Sequence, residues 1–157
     1  MKIDDNLLRK LAIRTISYFS DDLGMKNISD TFEIQSVNSI DYLDISTLIS
    51  LSQDISGTIG MSVSNSLAKK MVENFIYGDI TEEQIDELAS ESVSETLNVT
   101  LGNIIHNIEV VKNGGKVEIS TPYTMHNKVS ISKKQDGIMY LCILKYDNEE
   151  IILSYFI

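Results

Sequence analysis

Residues 81–108 read TEEQIDELASESVSETLNVTLGNIIHNI, and this segment decides how the chain is layered. Thr81-Glu82-Glu83-Gln84 carries the pattern of a capping box, in which a hydroxyl and a carboxamide each satisfy a free backbone N–H at a helix start. At ~100° per residue, Ile85, Ala89, Val93, Thr96, Leu97, Leu101 and Ile104 fall on one side, with Leu88 on its margin. Glu91, Glu95, Asn98 and Gly102 fall on the other. The segment therefore reads as a long amphipathic helix reaching to about residue 108. Glu95 and Asn98 stand a turn apart on its polar stripe, and Gly102 leaves bare backbone one turn beyond. A glycine inside a helix costs ~1 kcal/mol relative to alanine, so its place on the exposed stripe suggests a close approach by something else. Spacing alone also allows a merely solvated Glu-x-x-Asn pair, or a glycine that packs on another helix.

Working outward, Ser64 is placed to cap a helix over 65–77, with Leu67, Ala68, Met71, Val72, Phe75 and Ile76 inward and Gly78 as its stop. An amphipathic helix is expected over 5–22, capped by Asp4 or Asp5 and ended before Gly24. Strand-like runs lie at 31–38, 42–51 and 55–63. Leu43, Ile45, Thr47, Ile49 and Leu51 share one face, opposite Asp44, Ser46, Leu48 and Ser50. Gly57 and Gly60 permit a tight or bulged passage in the third run. After the long helix, Asn113-Gly114-Gly115 turns the chain into strands near 116–121, 127–133, 137–145 and 150–156, the last two joined at Asp147-Asn148. The order α-βββ-αα-ββββ implies an α+β fold: a mostly antiparallel sheet of about six or seven strands with three helices packed on it. No repeat or proline-rich linker divides residues 1–157, which read as one domain. The terminal run Ile151–Ile157 is expected as a core strand, or as an edge that pairs in a dimer.

The 157 residues are 43% apolar and 23% charged, a globular composition. Thirteen Lys and Arg against 23 Asp and Glu leave a net charge of −10. That excess opposes binding to nucleic acid and to anionic membrane surfaces. It is also concentrated: residues 79–101 hold Asp79, Glu82, Glu83, Asp86, Glu87, Glu91 and Glu95 and no basic residue. The longest apolar run, Ile138–Leu144, is too short to span a membrane, and no apolar signal core follows Met1, so a cytoplasmic protein is expected.

Other chemistry-bearing residues form no motif. His106 and His126 lie far apart without a carboxylate or cysteine at ligand spacing, and read as structural. Cys142, the sole cysteine, sits in a strand run and reads as a core thiol. Gly114-Gly115-Lys116 lacks the spaced glycine and the following Ser or Thr of a phosphate-binding loop. No nucleophile-elbow Gly-x-Ser-x-Gly is present.

Glu95-Thr96-Leu97-Asn98, then Gly102-Asn103, then Ile119-Ser120-Thr121-Pro122, resembles the signature of the CheX/CheC/FliY family of chemotaxis phosphatases. The order of elements resembles the CheX type across nearly the whole chain. Glu91 departs from the Asp or Ser frequent at its position in the family. Residues 6–22 contain no glutamate, so the second Glu-x-x-Asn of CheC-type members is missing and the single-site CheX type fits. The resemblance implies hydrolysis of the aspartyl phosphate on a CheY-like response regulator. Asn98 and Glu95 would be its catalytic residues: Asn98 would orient the attacking water and Glu95 would contact a receiver lysine. Glu91, Gly102 and Asn103 would meet the partner. The protein would need no cofactor or metal of its own, the Mg2+ belonging to the receiver, and would form a homodimer. The alternative is a non-catalytic binding or scaffolding module of the flagellar-switch type, for which an intact Glu95 and Asn98 have no evident use.

Overall fold

The computed structural model describes residues 6–76 and 79–157. Asp4, Asp5 and Gly78, expected as helix cap and helix stop, lie outside the described residues. Among the described residues, helices α1 (Leu7–Ser17), α2 (Asn65–Phe75), α3 (Glu82–Ile104) and the single-turn α4 (Glu109–Lys112) accompany nine strands. These are β1 (Ile34–Ser36), β2 (Ser39–Asp41), β3 (Ile45–Gln53), β4 (Gly57–Val63), β5 (Val117–Ile119), β6 (Tyr123–His126), β7 (Ser130–Ser132), β8 (Met139–Tyr146) and β9 (Glu149–Phe156). Seven of them form one antiparallel sheet in the order β1-β8-β9-β4-β3-β5, with β6 also paired to β3, while β2 and β7 make a separate ribbon. The α+β class and sheet size agree with the expectation from sequence.

The local signals behave as their chemistry requires. Ser64 Oγ accepts the amide of Leu67 at 3.0 Å. The capping box closes in both directions: the Gln84 amide donates to Thr81 Oγ1 at 3.2 Å, and the Thr81 amide donates to Gln84 Oε1 at 2.9 Å. Glu82 and Glu83 occupy the first turn of α3, where they complement the helix dipole. Gly24 follows the π-helical turn Tyr18–Asp22 with φ +70°. No helix among the described residues is long and apolar enough to cross a membrane.

Several boundaries move. The long helix ends at Ile104 rather than near 108, because Ile108 adopts extended backbone (ψ 150°) and turns its buried side chain into the core. The run expected over 42–51 begins later, as β3 at Ile45, and continues to Gln53, while the short β2 lies ahead of it, between the first two expected runs. The run at 116–121 stops at Ile119; β6 then resumes pairing with β3 beyond Pro122, which has no amide to donate. The terminal run is β9, flanked by β8 on one side and β4 on the other, so its edges are both occupied.

One sheet face carries Ile45, Ile49, Ile59, Met61, Val63, Leu144, Ile151 and Leu153 into the main core beneath the helices. The opposite face carries Ser46, Ser62 and Ser154, and all three are fully buried. The β2–β7 ribbon and Tyr42 cover them, forming a second cluster with Ile40, Met139 and Ile152. Ser46 and Ser62 hydrogen-bond each other at 2.8 Å, and Tyr42 hydrogen-bonds Ser154. Burial pushes the Tyr42 hydroxyl up to about 12, so it stays neutral and able to donate. Gly60 supplies the room for this ring: a Cβ there would lie 2.5 Å from both Tyr42 Oη and Ser154 Oγ. Gly60→Ala is therefore expected to destabilise the protein by about 1–3 kcal/mol through overpacking, read as a lower urea midpoint.

Candidate functional site

Helix α3 packs on β3 and β4, and both α1 and α2 lie against it. Ala89, Val93, Thr96, Leu97, Leu101 and Ile104 are buried, as the periodicity predicts. Thr96 and Thr100 are tolerated in the core because each hydroxyl donates back to its own helix, to the Ser92 carbonyl at 2.8 Å and the Thr96 carbonyl at 2.7 Å. With this side inward, the opposite stripe faces out: Glu91 and Glu95 are exposed, and Asn98 and Gly102 half-buried. From Glu91 to Gly102 the stripe runs about 16 Å at 1.5 Å per residue.

A Cβ built on Gly102 would meet no atom within 4 Å. The glycine therefore packs on no other helix, and open space lies above bare backbone beside Asn98. Asn103 is exposed, but its Oδ1 accepts from Arg14 Nε at 2.9 Å, tying the end of α3 to α1. The same guanidinium donates to Ser17 Oγ and to Asp22 Oδ2, both within 2.8 Å, and lies over the Tyr18 ring. Its charge is thereby matched within α1 and the π turn that follows.

Tyr18 is the neighbour that sequence reasoning missed. Its ring is almost fully buried, and its hydroxyl pKa is raised by burial first, with the Glu95 and Asp22 carboxylates adding to the effect; a hydrogen bond with Thr96 and the Arg14 charge oppose it. Arg14 and Tyr18 share a face of the first helix at i, i+4, which sequence shows, but nothing in the sequence says that this face meets α3. Phe75, expected inward, instead stands 36% exposed at the end of α2, its ring centroid 6.2 Å from that of Tyr18. Here α2 runs out, and the ring covers the rim of a groove rather than the core.

That groove, about 240 Å3, is lined by Val72, Phe75, Ile76, Leu88, Glu91, Ser92 and Glu95. His106 and His126 are exposed, and Cys142 is fully buried with its thiol pushed up to about 11 by burial, an inert core group. Among the described residues, no three His, Cys, Asp or Glu side chains are grouped to hold a metal ion. The stripe thus presents two carboxylates, one neutral carboxamide and a stretch of uncovered backbone. It can attract a cation and hold a small polar molecule.

The fold has solved counterparts. CheX from Desulfovibrio desulfuricans superposes with a TM-score of 0.71 at 16% identity, covering 95% of this chain and 97% of that one. CheX from Vibrio vulnificus gives 0.69 at 13% identity, over 96% and 99%. A CheX–CheY–BeF3–Mg2+ complex from Borrelia burgdorferi contains a match with a TM-score of 0.66 at 18% identity, over 95% and 96%. No curated protein sequence matches this one. The family model for the chemotaxis phosphatase CheX matches residues 45–144, a span that includes all of α3. The chain belongs to the CheX family of chemotaxis phosphatases.

Proposed function

We propose that this protein accelerates hydrolysis of the aspartyl phosphate on a CheY-like response regulator, with Asn98 orienting the attacking water and Glu95 engaging a receiver lysine. The observation that carries this reading is the placement of Glu95 and Asn98 a turn apart on the outward stripe of α3, beside open space at Gly102. The family and the CheY-bound counterpart support the choice of partner.

Phosphoryl transfer to water is mostly a matter of position and charge. Water attacks phosphorus in line, the bond from phosphorus to the receiver's carboxylate oxygen breaks, and inorganic phosphate leaves with the protons of the water. A carboxamide suits this positioning, because its oxygen accepts from the water, its NH2 donates, and it carries no charge to repel the phosphoryl group. Glu95 bears the charge that pairs with the partner's cation, drawing the lysine towards α3. The divalent ion, Mg2+, is the receiver's. Glu91 extends the acidic contact. Gly102 lets the partner close on the helix backbone, and Asn103, exposed and held by Arg14, meets the partner at that end of α3. All of residues 1–157 act as one domain in the cytoplasm, as a homodimer in which β9 is not the pairing strand.

The direct test mixes the protein with phosphorylated CheY-like receiver and follows loss of the phosphoryl group. Acceleration well beyond the receiver's own decay is expected. Binding without acceleration would instead make the protein a scaffold. Gly102→Ala separates stability from contact at the same surface. Free space above the helix predicts a gain of about 0.5–1 kcal/mol in unfolding free energy, with weaker receiver binding in a titration.

A further inference from the structure

The groove between the end of α2 and α3 has a chemistry that an apolar ligand would not explain. Val72, Phe75, Ile76 and Leu88 form an apolar wall, while Glu91 and Glu95 stand on its rim. Those carboxylates are four residues apart on one helix face, a like-charge arrangement that costs helix stability. Neither makes an ion pair among the described residues; Asp86, nearer the start of the same helix, is matched by Lys69 at 3.2 Å. Ser92 lines the same groove, is 7% exposed, and its Oγ has no hydrogen-bond partner among the described residues. A buried hydroxyl of this kind normally finds a partner. At about 240 Å3 the groove is smaller than the ~300–1,000 Å3 of ordinary small-molecule pockets, and it has room for one long side chain.

We infer that this groove receives a lysine or arginine side chain of the receiver, a second cation beside the one paired with Glu95. The aliphatic stem lies along Val72, Leu88 and the Phe75 ring, as long basic side chains do on apolar surface. The charged head reaches Glu91 and donates to Ser92 Oγ. A purely apolar side chain would leave both the hydroxyl and the carboxylate without a partner, and an acidic one would be repelled. Glu95 belongs to the groove and to the outward stripe alike, so a receiver seated over Asn98 brings its surface to the groove as well. The inference rests on the function proposed above and adds a specificity determinant to it.

The test titrates beryllofluoride-loaded receiver into the wild-type protein, Glu91→Gln, Phe75→Ala and the double variant, with turnover of phosphorylated receiver by wild type and Asn98→Ala measured in parallel. Glu91→Gln should weaken binding about fivefold and flatten its salt dependence. Phe75→Ala should weaken it about threefold with the salt dependence retained, and the double variant should lose less than the product because both changes act on one side chain. Glu91 is exposed, so its variant folds; because Glu91 also belongs to the proposed acidic contact, its coupling with Phe75 decides whether the groove is used, and fully additive losses in the double variant overturn the inference. Unchanged affinity in Glu91→Gln overturns the inference whatever Phe75→Ala does. If the wild type neither binds nor turns over the receiver, or Asn98→Ala turns it over at the wild-type rate, the proposed function itself fails.

Discussion

Asn98→Ala is expected to lower the rate of receiver dephosphorylation by at least about 100-fold, the scale on which a misplaced reactant costs an in-line reaction, while leaving receiver binding within a few-fold. The side chain is half-buried on a helix whose opposite face makes the core contacts, so removing it opens no cavity. Alanine is the better helix former, and the variant should unfold at an equal or slightly higher urea concentration. A lost rate therefore cannot be ascribed to lost fold. Asn98→Asp provides the sharper control: it keeps the shape but places a negative charge against an anionic phosphoryl group, and it should be as inactive as alanine. Stopped-flow or discontinuous phosphate-release assays at saturating receiver read both. Turnover at the wild-type rate by Asn98→Ala would remove the assignment.

Reversing the charge at Glu95 is expected to have the second large effect, and a different one. In Glu95→Lys the partner's lysine meets a like charge, a juxtaposition worth several kcal/mol against the complex. The apparent second-order rate constant should fall at least about 100-fold, with affinity and rate falling together. Part of the defect should disappear as salt screens the repulsion. Glu95 is exposed, so the stability change should stay within ~0.5 kcal/mol, the usual range for surface substitutions. Equal affinity of wild type and Glu95→Lys, measured by titration with beryllofluoride-loaded receiver at low salt, would exclude the proposed lysine contact.

The groove adds a reason for the local concentration of charge. Seven of the acidic residues lie in 79–101 without a basic one, and they serve unlike purposes. Glu82 and Glu83 sit at the positive end of the helix dipole, and Asp86 is matched across to α2 by Lys69. Glu91 and Glu95 alone stand over an apolar groove beside the candidate water-positioning amide. Net charge gives no hint of that division, because the structure decides which carboxylates already have a counter-charge.

Where a property depends on neighbours in sequence, the residues announce it. Capping at Thr81 and Ser64, the inward set from Ala89 to Ile104, the turn at Asp147-Asn148 and the outward placement of Glu95 and Asn98 all follow from groups within one or two helical turns or a single hairpin. Thr81 and Gln84 need only each other, and 3.6-residue periodicity needs only a core somewhere. What depended on distant chain segments was not legible. Ser46 and Ser62 alternate like solvent-facing strand residues, yet they are buried, because the β2–β7 ribbon joins residues 39–41 to 130–132 across the chain and lays Tyr42 over them. Phe75 has the spacing of a core residue and becomes the rim of a groove only because α2 ends against Tyr18 and α3. Arg14 and Tyr18 enter the site because α1 packs there. Sequence alone thus determined which residues α3 would display and the class of fold that holds it, since these rest on local hydrogen bonding and periodic burial. Tertiary structure alone decided what stands around that display, since a groove, an orphaned hydroxyl and a matched or unmatched charge are relations between segments that only packing brings together.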